Sequence, residues 1–136
     1  MSYDLPRWVL LYHDWPPDSH YDLMLQDGGR LLTWRLPEVP RSGVELTAER
    51  IADHRLIYLD YQGPISGNRG SVRRLDRGAY ERLLWKDHEI VVAVRGKVLQ
   101  GTLALRAPDL ITEPGLSDAL WTLKYEAPGE SNPPGA

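Results

Sequence analysis

Residues 20–36 read HYDLMLQDGGRLLTWRL: two runs rich in aliphatic and aromatic residues meet at Asp27-Gly28-Gly29. An Asp-Gly step between such runs favours a two-residue turn, because glycine reaches positive φ without a steric cost. The stretch therefore predicts a β-hairpin over residues 20–36. Working outward, RWVLLYHD (7–14) mixes aromatic and branched residues and stops at WPPDS, whose paired prolines cannot continue a ladder. After the hairpin, VPRSG (39–43) is a loop, and ELTAERIADH (45–54) fits either a strand or one helical turn. RLIYLDY (55–61) alternates like a strand, SVRRLDRG (71–78) reads as a strand entering a turn, and AYERLLW (79–85) has the spacing of a short helix. EIVVAV (89–94), VLQGTLALRA (98–107) and ALWTLKY (119–125) complete the set, the first two joined through RGK. Seven or eight short strands with little helix predict a mainly β chain, a small antiparallel barrel with one or two short helices.

The 136 residues suffice for one domain over residues 1–126, burying about two-thirds of the surface an unfolded chain exposes. The tail APGESNPPGA (127–136) is expected to be disordered. With no cysteine, disulfides and thiolate–metal sites are excluded. The longest apolar run near the start is five residues, Trp8–Tyr12, with no basic lead and no small-residue cleavage site. No run is long enough to cross a bilayer as a helix, so no membrane association is expected and the cytoplasm is the expected compartment.

The net charge of −3 argues against a general basic coat. Thirteen of the sixteen basic residues are arginine, and residues 63–82 hold five arginines against Asp76 and Glu81. Arginine's planar fork suits phosphate; codon preference is the plain alternative.

HDWPPDSHYD (13–22) holds two of the four histidines. On a strand, His20 and Asp22 at i and i+2 project from one face, and His13 at the preceding strand end can fold back beside them across the loop. Two imidazoles and a carboxylate leave positions open on a divalent metal, the layout of a catalytic site. The plain alternative is a pair of surface histidines. His88, in KDHE, reads as an exposed loop residue, and His54 as a hydrogen-bonded strand-edge histidine with Tyr58 further along the same face.

Taken in order, HDWPPDSHYDLML (13–25), LTWRLP (32–37), IADHRLIYLDYQGPISGNRG (51–70), GTLALRA (101–107) and LWTLKY (120–125) resemble the 3′-phosphoesterase domain of bacterial DNA ligase D. The resemblance implies a small barrel that binds manganese and trims DNA 3′ ends, removing a terminal ribonucleotide and then the 3′-phosphate in support of end joining. It implies that His13, His20 and Asp22 hold the metal, that His54 contacts the phosphate and that Tyr58 is its neighbour. It also implies a domain standing apart from polymerase and ligase modules, with those enzymes as candidate partners.

Several positions depart from the family pattern. The loop between the metal histidines is one residue longer than usual. Met24 stands where an arginine is common, and Glu38 where a lysine often stands. GPISGNRG (63–70) is one residue shorter than the family's motif, with Ser66 for proline and Arg69 for tyrosine. The family's N-terminal acidic and basic groups have no counterpart before the motif. Arg69, Arg73, Arg74 and Arg35 are the candidates for holding phosphate or DNA, and adjacent Arg73 and Arg74 must face opposite sides of a strand. Other readings are a catalytically weak module binding nucleic-acid ends and, last, an iron oxygenase using the same His-x-Asp pair.

Overall fold

In the computed structural model, residues 5–108 and 119–129 are described. Nine strands follow in chain order: β1 Arg7–Asp14, β2 His20–Asp27, β3 Arg30–Leu36, β4 Glu45–His54, β5 Gly63–Pro64, β6 Ser71–Lys86, β7 Glu89–Arg95, β8 Gln100–Arg106 and β9 Leu120–Glu126. They pair antiparallel in the order β1-β2-β3-β4-β9-β8-β7-β6-β5, and β1 also pairs with β6. The chain is thus mainly β, one antiparallel sheet closing on itself as a ring of eight strands, with two-residue β5 on the edge of β6. The expected hairpin is β2–β3, turning at Gly28, whose φ is +61°.

The long strand β6 closes the ring. Its first half pairs with β1 and its second with β7, and Ala79 lies opposite both Arg7 and Arg95. Gly78 sits at this crossing, where a Cβ would run into the Arg95 carbonyl. AYERLLW, expected as a helix, is the second half of this strand. A ladder irregularity opposite Leu10/Leu11 shifts the alternation within the strand, so that Val72 packs outside the ring and Tyr80 inside it, and the strand's buried residues fall at Val72, Asp76 and Tyr80. Burial every fourth residue imitates a helix. Asp76 is buried there as an acceptor, taking the backbone N–H groups of Arg77, Lys97, Val98 and Leu99 and fixing the β7–β8 turn.

ELTAERIADH is a strand, β4. RLIYLDY, expected as a strand, instead contains a 3₁₀ turn at Leu56–Leu59. Residues three apart eclipse in a 3₁₀ turn, so Leu56 and Leu59 both point at the sheet while Ile57 faces solvent. The segment lies on the outer face of β1–β3. Asp60 anchors it through Arg7 at 2.7 Å and Arg77 at 3.7 Å.

Two apolar clusters result. One fills the ring with Trp8, Leu10, Leu23, Leu25, Trp34, Tyr80, Leu103, Leu123 and their neighbours. The other lies outside it, where Val9, Leu11, Met24, Leu31 and Val72 meet Leu59, flanked by Tyr58, Tyr61 and Ile65. No helix among the described residues is long and apolar enough to cross a membrane. Of the expected disordered tail, residues 130–136 lie outside the described residues.

Candidate metal centre

His13 and His20 are directly opposite each other where β1 and β2 part, and Asp22 follows two residues along β2. All three lie on the outer face, past the end of the outer apolar cluster. Their ligand atoms lie within 4.8 Å of one another. His20 Nε2 is 3.3 Å from Asp22 Oδ1, and His13 Nδ1 is 3.9 Å from Asp22 Oδ2. The 3.3 and 3.9 Å separations suit donors around one ion with bonds of about 2.0–2.2 Å, which allow at most about 4.4 Å between two donors, so the widest pair closes slightly around an ion.

The loops set the tautomers. His20 Nδ1 donates to the Asp18 carbonyl at 2.6 Å, and His13 Nε2 donates to the Arg69 carbonyl at 2.7 Å. A carbonyl can only accept, so the proton sits on those nitrogens and the opposite lone pairs face Asp22. Outer hydrogen bonds of this kind orient metal-binding imidazoles. Two features hold the carbonyls in place. The WPPDS loop is pinned by Asp18 N–H donating to the Trp15 carbonyl and Trp15 N–H donating to Ser19 Oγ. Gly70, at φ +72°, packs on the Asp14 backbone, where a Cβ has no room.

Two lone pairs and a carboxylate therefore converge in a buried place, and Asp22 Oδ1 is enclosed without a hydrogen-bond partner. Unpaired buried charge is costly, so the cluster calls for a cation. A proton answers in part. Burial opposes charge on the His20 ring, but Asp22 and the Asp18 carbonyl outweigh it, so the pKa of His20 lies above its ordinary 6.5. A divalent ion answers better, because it satisfies both imidazoles and the carboxylate together. The donor set of two nitrogens and one oxygen fits such an ion with positions left open.

The other candidates are distributed around this centre. Arg35 lies opposite Asp22 across the β2–β3 ladder and opposite Glu49 across β3–β4. Its Nε is enclosed with no hydrogen-bond partner, and with His20 and Glu49 it lines a cleft of about 240 Å³. Arg74 pairs with Leu11 and Arg73 with Tyr12, so the two face opposite sides, with the Arg73 guanidinium 5.6 Å from the Tyr12 ring centre. Arg69 turns back on its own loop, its Nε donating to the Ser66 carbonyl at 2.7 Å. Its backbone touches the centre and its side chain does not.

His54 and Tyr58 pair edge to face at 5.4 Å, and Tyr58 meets Tyr61 the same way at 6.0 Å. His54 Nδ1 donates to the Ala52 carbonyl. These residues are not drawn into the triad. His54 lies opposite Leu31, four residues along β3 from Arg35, an offset of about 13 Å along the strand. Met24 lies between, 1% exposed in the outer cluster. His88 is in the exposed β6–β7 turn, as expected. The Asp18 and Arg69 carbonyls and the Trp15 ring, stacked on His13 at 5.5 Å, were not legible as site groups in the sequence. The one hint was a tryptophan inside a proline loop.

No curated protein matches the chain. The family model described as the DNA ligase D 3′-phosphoesterase domain matches residues 12–106, which include the triad, Arg35, His54, Tyr58 and the Gly67–Gly70 turn. The chain belongs to the DNA ligase D 3′-phosphoesterase domain family.

Proposed function

We propose that this protein is a manganese-dependent 3′-phosphoesterase that removes terminal ribonucleotides and 3′-phosphates from DNA ends, preparing them for end joining by a ligase or polymerase. The observation that carries the reading is the His13, His20 and Asp22 cluster, with both histidine tautomers preset and Asp22 Oδ1 unpaired. A bound divalent cation supplies Lewis-acid neutralisation of phosphate charge there. The protein's own groups do the rest. Asp18 and Arg69 hold the imidazoles in register through their carbonyls. Arg35 offers a fixed positive charge beside the centre for a phosphate oxygen, and Arg74 offers another on the same outer face.

His54 and Tyr58 contact the substrate from the other end of that face: with Nδ1 donating to the Ala52 carbonyl, the imidazolium form of His54 offers its Nε2–H to a phosphate oxygen further along the strand, and Tyr58 packs against the ring. His54→Ala then leaves manganese affinity intact and weakens substrate binding by about 10- to 150-fold, the range for one lost hydrogen bond to a charged group. The deciding experiment incubates a labelled primer–template carrying a 3′-terminal ribonucleotide or a 3′-phosphate with and without manganese. Manganese-dependent release of either group is expected, and release of neither refutes the enzyme reading.

One observation favours a second reading, a module that binds DNA ends without turnover. Met24 is buried in apolar packing between the triad and His54, where the resemblance leads one to expect an arginine. End binding that depends on manganese but shows no release would establish that reading.

A further inference from the structure

Of the five tryptophans, Trp8, Trp34 and Trp121 are buried in the ring and Trp85 packs against it, whereas Trp15 belongs to neither apolar cluster. Its ring instead lies nearly parallel to His13, 17° between planes and 5.5 Å between centres. It is partly exposed, and Pro16, Pro17, Asp18 and Ser19, which follow it, are all exposed, so its own loop does not cover it. The loop is nevertheless fixed at both ends of the turn, by Asp18 N–H to the Trp15 carbonyl at 2.6 Å and by Trp15 N–H to Ser19 Oγ at 2.9 Å. A large flat ring is thus held still beside a metal ligand, with no core packing to explain it.

We propose that Trp15 is a stacking platform for a nucleobase, the base of the nucleotide whose 3′-phosphate sits at the His13, His20 and Asp22 centre. This rests on the phosphoesterase reading for the identity of the ligand and adds a contact that distinguishes a nucleotide end from a bare sugar phosphate. Every base presents a π face, so the platform accepts all four bases and gives affinity without sequence preference. Binding of the base also fixes the end of the strand relative to the metal ligands, because platform and ligand are stacked on each other.

The test compares two oligonucleotides ending in an uncleavable 3′-methylenephosphonate, one with a normal terminal nucleoside and one abasic there, binding in the presence of manganese. The wild-type protein is expected to prefer the normal end by about 5- to 150-fold, the range for one stacked base. Trp15→Ala brings that ratio close to one, Trp15→Phe keeps most of it, and both keep the wild-type manganese affinity within about twofold. A wild-type ratio near one, or a ratio unchanged in Trp15→Ala, overturns the platform. So does a large loss of manganese affinity in Trp15→Ala, which would make the ring a support for His13. Phosphate release from the matching 3′-phosphate oligonucleotide is followed in parallel. If the wild type binds with the expected preference but releases nothing, the platform stands and the enzyme reading falls.

Discussion

Strands β1 and β9 lie in one ring and are built differently. Along β9, LWTLKYE alternates strictly, with Trp121, Leu123 and Tyr125 buried and the residues between them exposed. Along β1, Trp8, Val9, Leu10 and Leu11 are all buried, and on β2 so are Asp22 to Leu25. The difference is what covers the outside. Solvent lies over β9, whereas the Leu56–Leu59 turn and its neighbours lie over β1–β3. A strand covered on both faces loses its alternation. It also provides a low-dielectric floor, and the metal centre sits at the rim of that floor, where charge–charge contacts are stronger than in open water.

The largest effect that tests this contrast falls on the rim. Asp22→Asn should lower manganese affinity by more than about a hundredfold, since even outer partners of metal ligands are worth 10- to 100-fold, and should reduce turnover to background. At a pH above the folded pKa of His20, where that ring is neutral, the metal-free variant should melt above the wild type, because a buried unpaired carboxylate oxygen has been removed. Calorimetry with and without manganese reads both, and a lower metal-free melting temperature would show that the Asp22 charge is not the burden the geometry implies.

Next comes the doubly covered floor itself. Met24→Ala should cost about 2–5 kcal/mol in denaturant unfolding, the range for truncating an enclosed apolar side chain. A cost below about 1 kcal/mol would mean that the outer cluster is loose and that β1–β3 are effectively covered on one side only.

A third test uses pH. The pKa of His20 in the fold lies above its ordinary value, so protonated His20 stabilises the metal-free protein at low pH. That contribution is complete below the unfolded value of about 6.5 and is lost as pH rises through the folded pKa. Manganese displaces the same proton. Its affinity should therefore rise with pH, by about tenfold per unit below the folded pKa, and level off above it. Thermal melts of the metal-free protein and manganese titrations over the near-neutral range should thus slope in opposite directions. Parallel slopes would separate His20 from the metal.

The smallest effect belongs to the solvent-facing side. Thr122→Val, at an exposed position of β9, should change stability by no more than about 0.5 kcal/mol. A larger change would point to a partner surface on that face.

The sequence by itself determined the hairpin at Asp27-Gly28-Gly29, the strands on either side of it, and the one-face placement of His20 and Asp22. Each of these depends on local turn chemistry or on a period of two, which short segments carry on their own. It also carried the five segments, in order, that mark the family. Tertiary structure decided where locality fails. Residues 79–85, the second half of β6, have helical spacing but extend as strand because β7 pairs with them along their length, with a ladder irregularity between Arg82 and Leu84 that breaks the period of two. Residues 56–59 left the sheet because Leu56 and Leu59 had a covered face to seal. The tautomers of His13 and His20 depended on carbonyls of Arg69 and Asp18, the first 56 residues away from its histidine and the second two. A backbone carbonyl is the same in every residue, so its use as an orienting group leaves no mark on residue identity and exists only once the chain has closed on itself.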